Sequence, residues 1–321
     1  MDTEKTFFLG KDSIEIECAE LENNDLATME LCVDCIRHLQ EIHNLFLVFK
    51  FQTEQIWKNY TLMSDGKVFR DQFPADQEED YIAINAYTTN IISAGKTMIE
   101  SMKNFTDLKC LTDENRSSYS AMVSKIYDTV FSYKLLIRLR DYAQHGHLPV
   151  NSSENIYYFD LINILGKPHF NHNKAVKEQM IQAIATCEDL FKDTPRLSLT
   201  KSLAEFVAAT FRIYRNFWMF AEYAVLNAKK KIKDIVDTYP ENIIQAPADM
   251  SKWFIYKVAD GNADTIALAD DPEKMFVQFK EEAEKISDQY IQAWHELIKD
   301  AQLIRFLDKD HIKIVPYDQH I

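Results

Sequence analysis

Apolar and polar positions of this chain alternate at helical spacing over long stretches. Behind Asn23, Asn24 and Asp25, all good N-cap types, Met29, Cys32, Val33, Ile36, Leu39 and Ile42 recur three or four apart. That spacing predicts one helix from about 25 to 63. A second helix, about 77–105, opens on Gln77-Glu78-Glu79-Asp80, acids that suit the positive end of a helix dipole. Thr112 or Asp113 starts a third, which runs to about His145 before Gly146 and Pro149 stop it. Helices at about 172–192 and 198–238 come next, the latter passing through Phe217-Trp218-Met219-Phe220 and reaching Lys229-Lys230-Lys231 near its end. Asp271-Pro272-Glu273 combines a cap, a proline at the first helical position and an acid in the first turn. It opens a last helix to about Ile304.

Strand signals are fewer. Trp253 to Val258 and Thr265 to Leu268, joined through Asp260-Gly261-Asn262, read as a β-hairpin. Ile156 to Leu161 and Ile312 to Val315 are short strand candidates, and Ser13 to Glu17 alternates within an otherwise irregular start. The pattern predicts a mainly all-α fold, an antiparallel helical bundle of long helices with a small β-hairpin accessory. Residues 1–24 form an N-terminal irregular segment in this reading, 25–238 the helical bundle, and 239–321 the hairpin plus a long C-terminal helix packed on the same domain. No stretch is rich enough in Gly, Ser or Pro to separate two domains.

Composition narrows the classes. Six glycines and 8 prolines in 321 residues are too few turn formers for a sandwich, a barrel or a Rossmann fold. A net charge of −14 disfavours non-specific coating of nucleic acid, although a local basic groove stays open. The first residues lack a basic start followed by an apolar stretch, and runs such as Leu45 to Phe49 fall far short of the ~18 residues of a membrane span. Five irregularly spaced cysteines fit reduced, buried thiols. The expectation is a cytoplasmic protein without a membrane partner.

The chemistry concentrates in Arg138-Leu139-Arg140-Asp141-Tyr142-Ala143-Gln144-His145-Gly146-His147, at the end of the third helix. Asp141 and His145 are four apart and share a helical face, where a carboxylate can hold the imidazole tautomer and favour its charged form. Arg140 lies ~140° around an ideal helix from His145. One straight helix therefore cannot aim both at one phosphate; a distorted last turn or a second subunit must supply one of them. Arg37 to His43 and Arg305 to His311 are similar pairs, Arg-x5-His beside the Arg-x4-His of Arg140, but only Arg140 combines its histidine with a polar neighbour and a helix terminus. From Asn115 to His147 five basic residues (Arg116, Lys125, Lys134, Arg138, Arg140) stand against Asp128 and Asp141, a local excess of positive charge in an acidic chain.

This segment resembles the signature of the HEPN superfamily, all-helical bundles that carry Arg-[Asn/Asp/His]-x(3–5)-His. The resemblance implies a four-helix core, a homodimer that brings two motifs together and, in many members, RNA cleavage without a metal. Arg140, Asp141 and His145 fall on the three signature positions and are the candidate catalytic residues. Arg138, Gln144 and His147 flank them as candidate substrate-binding residues. The resemblance further implies a metal-independent endoribonuclease of a defence or toxin system, with RNA or a nucleotide as ligand, no cofactor, no metal, and an antitoxin or regulator as partner. Where some members carry a tyrosine two residues after the histidine, this chain has His147. Other members bind without cutting, so a non-catalytic helical module for nucleotide, RNA or protein is the alternative. A structural interaction protein, with Arg138 and Arg140 as solvated helix cations, is the second alternative.

Other constellations carry less. Cys32-x2-Cys35 with His38 lies on an apolar helix face and has no second ligand pair, which reads as core. Asp260-x-Asn262-x-Asp264 lacks the glycine and glutamate of a calcium loop and reads as a hairpin turn. Arg212, Tyr214, Arg215, Phe217 and Trp218 could stack bases, but aromatic core edged by snorkelling arginines is the simpler reading. Lys229, Lys230, Lys231 and Lys233 suit a helix C-terminus. No GxGxxG, Walker loop, HExxH or nucleophile elbow occurs.

Overall fold

The computed structural model describes residues 6–11, 19–20, 22–63, 67–70, 77–107, 111–144, 147–153, 155–166, 177–178, 180–182, 185, 196–239, 253–259, 262–267 and 272–298. Their fold is mainly all-α. The helices are α1 (Asn23–Asn59), α2 (Gln77–Asp107), α3 (Asp113–Thr129), α4 (Phe131–Gln144), α5 (Leu161–Gly166), α6 (Leu199–Val236) and α7 (Pro272–Ile298). Caps fix several starts. The amide of Asn115 donates to Thr112 Oγ1 at 3.2 Å before α3, and that of Asn163 donates to Asp160 Oδ1 at 2.9 Å at the start of α5. Among the described residues no helix is long and apolar enough to cross a membrane.

Nine strands accompany the described helices: β1 (Thr6–Lys11), β2 (Ala19–Glu20), β3 (Tyr60–Leu62), β4 (Val68–Arg70), β5 (Asn151–Ser153), β6 (Ile156–Asp160), β7 (Arg196–Ser198), β8 (Trp253–Ala259) and β9 (Asn262–Ala267). The expected hairpin is present as β8–β9, paired from Phe254↔Ala267 to Ala259↔Asn262. It is half of a four-stranded antiparallel sheet of order β2-β1-β8-β9. The segment 1–24 is therefore not simply irregular. Thr6-Phe7-Phe8-Leu9 pairs with β8 from Thr6↔Val258 to Lys11↔Trp253, because a two-stranded ribbon is marginal alone and gains from a third strand. The strand candidates Ser13 to Glu17 and Ile312 to Val315 fall outside the described residues, as does most of the expected helix 172–192.

Two helix expectations need correction. The first helix ends at Asn59 rather than near 63, and Tyr60-Thr61-Leu62 continues at once as β3 against β4. Asn59 Nδ2 donates to Gln55 O at 2.7 Å and to Tyr87 Oη at 3.2 Å, and the aromatic and β-branched residues behind it suit a strand. The single helix expected from 112 to 145 is divided at Val130 into α3 and α4. Thr129 Oγ1 donates to Lys125 O at 2.7 Å, a back-bond that bends helices, and Thr129-Val130 adds two stiff β-branched residues.

The chain forms two compact units that interleave along the sequence. The first comprises Met1–His43, Lys103–Arg116 and Phe217–Ala283, the second Asn44–Met102, Ser117–Asn216 and Glu284–Ile321. The helices α1, α2, α3, α6 and α7 each contribute to both units. In the first unit Leu26, Met29, Cys32 and Val33 of α1 pack with Ala228, Ile232, Ile235 and Val236 of α6 and Ile255 of β8. Trp218 lies against Phe276 and Phe279 there, and His38 stands edge-on to Phe105.

The second unit is organised around aromatic contacts. Phe46 stacks on Tyr214 with ring centroids 4.0 Å apart, Phe49 meets Phe206 and Phe211, and Tyr133 stacks on Phe206. A Cβ built on Gly95 of α2 would come within 2.9 Å of Phe206 Cζ and 3.1 Å of Phe49 Cε2, so glycine there permits close approach of the rings. The sheets β3–β4 and β5–β6–β7 meet through the Val68 amide, which donates to Asn155 O at 3.0 Å. Asn155 holds φ at +64°, a left-handed conformation that asparagine tolerates. Asp80 ties β3 and β4 to α2 by accepting from Tyr60 Oη and Arg70 Nε, each at 2.8 Å.

Candidate functional site

The motif segment belongs to the second unit. Its helix α4 has Leu135, Leu136 and Leu139 buried, which leaves Arg138, Arg140 and Asp141 at the margin of the core. Residues two apart on a helix point ~200° apart, so Arg138 and Arg140 serve different sides. Arg138 turns toward α3: its Nε donates to Tyr127 Oη at 3.2 Å, and its guanidinium lies 6.0 Å from the centre of that ring. Lys134 approaches the same ring at 5.0 Å. Tyr127 thus holds two cations by their attraction to an aromatic face.

Arg140 turns toward α2. Its Nη1 is 3.9 Å from Glu100 Oε2, an ion pair too long for a hydrogen bond. Its side chain is 23% exposed, and its buried Nε has no hydrogen-bond partner among the described residues. Asp141 also engages α2, where Lys96 Nζ donates to Asp141 Oδ1 at 2.8 Å. Lys96 is 15% exposed and also lies 3.9 Å from Glu100. Asp141, Lys96, Glu100 and Arg140 form a charge row across α2 and α4 in which the Lys96–Asp141 contact is the strong one, being short and charge-assisted.

Of the six residues singled out in the sequence, Arg140 and Asp141 lie together on the α2 side, and Arg138 lies apart from them against α3. Among the described residues Asp141 has Lys96 as its partner rather than Arg138. Gln144 is the last residue of α4, and its side chain lies outside the described residues. His145 falls outside the described residues, and His147 is half-buried in the chain after the helix. Val150 then returns to α2, where Asn85 Nδ2 donates to Val150 O at 3.1 Å and the Val150 amide donates to Asn85 Oδ1 at 3.0 Å.

Lys96, Glu100 and Asn85 carry no motif. Their signals are that Lys96 and Glu100 are four apart, and that Asn85 interrupts the buried stripe of Ile84, Thr88, Ile91 and Ile92 with an amide. A fourth residue without a motif is Glu205 in α6, 5% exposed beside Ser132 of α4. Burial pushes its carboxyl up to about 7, against the opposing influence of Ser132 and Lys201. Neither Glu205 Oε1 nor Ser132 Oγ completes a hydrogen bond among the described residues.

The lesser constellations resolve into structure. Cys32 and Cys35 are buried in the first unit, and no group of three or more His, Cys, Asp or Glu suited to a metal occurs among the described residues. Asn262 and Asp264 pair with Ala259 and Lys257 in the hairpin. Tyr214, Phe217 and Trp218 are at most 1% exposed, so these rings serve as core rather than as a platform for bases. Arg215 pairs with Asp288, Lys229 with Glu273 and Lys233 with Asp237. No family model, curated protein or solved structure matches the chain.

Proposed function

We propose that this chain is a metal-independent endoribonuclease of HEPN type, acting on RNA as a homodimer within a defence or toxin system. The observation that supports the reading is the state of Arg140. Its guanidinium is mostly buried near the end of α4, with Nε unpartnered among the described residues and Glu100 3.9 Å away. A buried donor left unsatisfied costs about 1–3 kcal/mol, and a phosphate oxygen would satisfy it. The fork of donors on arginine fits an anionic phosphate and the extra charge of its transition state.

In the proposed reaction the ribose 2′-oxygen bonds to the adjacent phosphorus and the bond from phosphorus to the 5′-oxygen breaks. The products are a cyclic phosphate and a free 5′-hydroxyl. A base takes the 2′-hydroxyl proton, and an acid protonates the departing oxygen. His145 is assigned one of these roles on the sequence signature alone. A second copy of the chain would supply the other.

A second reading has its own observation. Asp141 is held by Lys96 at 2.8 Å, which engages the carboxylate that would otherwise orient the imidazole. That favours a non-catalytic module that binds a nucleotide, an RNA or a protein partner, an antitoxin or regulator among them. The two readings separate when labelled RNA is incubated with the protein in EDTA, beside Arg140→Ala and His145→Ala. Cleavage that persists in EDTA and disappears in both variants supports the nuclease. RNA bound but left intact by the wild type supports the module.

A further inference from the structure

We infer that the seam between α6 and α7 in the first unit is an interface for a second copy of this chain, centred on Leu226 and Val277. It gives a surface to the second copy in the proposed nuclease, but it rests on the first unit alone and stands whether or not RNA is cut. Lys229 Nζ donates to Glu273 Oε2, and Lys280 Nζ donates to Glu222 Oε2 at 3.1 Å. The later residue of α6 meets the earlier residue of α7, so the two helices run antiparallel here. Beneath the seam Trp218 lies against Phe276 and Phe279. On its outer side Leu226 is 48% exposed and Val277 45%. Leu226 follows Glu222 by four residues and precedes Lys229 by three, and Val277 has the same spacing between Glu273 and Lys280. Each apolar side chain therefore shares a helix face with its flanking charges and sits between the two ion pairs.

The four charges form a square of alternating sign. Glu222 and Lys280 make one edge, Lys229 and Glu273 the opposite edge, and each helix runs from its glutamate to its lysine over about 10 Å. A two-fold axis lying in the plane of this patch brings only opposite charges together. With the axis along the helices, Glu222 faces the partner's Lys280 and Lys229 faces the partner's Glu273. With the axis across them, Glu222 faces the partner's Lys229 and Glu273 faces the partner's Lys280. A two-fold interface needs such self-complementarity, because one patch serves both sides. In either arrangement the apolar centre of one copy falls on that of the other, inside a polar rim. Exposed ion pairs add little to a fold. Rim charges of opposite sign chiefly orient and select a partner. A patch of one sign would fit an acidic or a basic partner, whereas alternating signs around leucine and valine fit a second copy.

The test uses the full chain in two charge-reversed forms. Glu222→Lys with Glu273→Lys makes the square wholly positive, and Lys229→Glu with Lys280→Glu makes it wholly negative. Sedimentation equilibrium of the wild type should show dimers below ~100 μM. Each reversed form alone should associate about 100-fold more weakly or less, because like charges meet across the seam, and an equimolar mixture should restore a dimer with one copy of each. Rescue on mixing also shows that both forms fold. Leu226→Ser, at a half-exposed position, should weaken wild-type association about 10-fold. The inference is overturned by a wild type that stays monomeric at ~100 μM, by a reversed form that dimerises alone at wild-type strength, or by folded reversed forms that stay monomeric when mixed. If a reversed form does not fold, Leu226→Ser decides, and undiminished association overturns the inference. RNA cleavage is read on the same samples. A chain that dimerises through this seam and cuts no RNA loses the nuclease and keeps the interface. One that cuts RNA while its dimer survives these changes keeps the nuclease and loses the interface.

Discussion

Lys96 of α2 and Asp141 of α4 are joined by a hydrogen-bonded ion pair of 2.8 Å, with the side chains 15% and 33% exposed. The carboxylate next to Arg140 is thus engaged across two helices. Lys96→Met should leave Asp141 half-buried without its partner, and Asp141→Asn in the same background should recover most of the loss. Partial exposure screens the pair, so about 1–2 kcal/mol is expected for the single change. Urea unfolding of both single variants and the double variant gives the coupling. Additive losses would show that the pair contributes nothing beyond its separate side chains.

Glu205 gives the second unit a pH dependence whose direction is fixed. Its carboxyl is raised from 4.5 to about 7 by burial, so the folded state holds a proton that the unfolded chain releases earlier. Its contribution is fully present below pH 4.5 and is lost as pH rises through about 7. At ~1.4 kcal/mol for each pH unit separating the folded and unfolded values, the loss is on the order of 3 kcal/mol. Urea unfolding at pH 5 and pH 8 should therefore show Glu205→Gln losing less stability than wild type across that interval. Parallel losses would remove Glu205 as the source.

His43 acts in the opposite sense in the first unit. Its ring is 5% exposed and stacks on Phe279 at 4.0 Å, and Glu282 lies 3.5 Å from Nε2. Burial lowers its pKa below 6.5 and outweighs the carboxylate. Its contribution is present above pH 6.5 and is lost as pH falls through the lower, folded value. His43→Phe keeps the stack and should weaken the acid-side loss of stability in thermal melts between pH 7 and pH 5. A variant that melts with the wild-type pH profile would refute this assignment.

Gly95 is the position where backbone space matters most. Alanine there improves helix propensity by ~1 kcal/mol. Its Cβ would meet ring atoms of Phe206 at 2.9 and 3.1 Å and Phe49 at 3.1 Å, and overpacking of this kind costs ~1–3 kcal/mol. Gly95→Ala should destabilise on balance, and Phe206→Leu should cost less in that background than alone. A higher melting temperature for Gly95→Ala would mean that the rings move aside freely.

How much of this was legible in the sequence depended on whether the cause was local. Caps and punctuation at Asn23, Glu78, Thr112 and Pro272 placed the starts of four long helices within a residue or two. The hairpin was readable from Asp260-Gly261, but its partner β1 was not, because Phe7 and Lys257 meet only through folding. Asp141 was readable as a carboxylate near a helix end. That its partner would be Lys96 depends on packing of α2 against α4. Asn85 carries no local signal for its bond to Val150 beyond being polar in an apolar stripe. Glu205 is likewise an ordinary helix residue until burial raises its pKa.

The proposed reaction needs Arg140 on the phosphate and a ribose 2′-hydroxyl as nucleophile. The most direct measurement compares a labelled RNA with its 2′-deoxy counterpart at the cleaved position, in EDTA, using wild type and Arg140→Ala. Wild type is expected to cut only the ribose strand and leave a cyclic phosphate, and Arg140→Ala to slow cleavage about 100-fold or more. Equal cleavage of both strands, or wild-type rates in Arg140→Ala, would contradict this reaction.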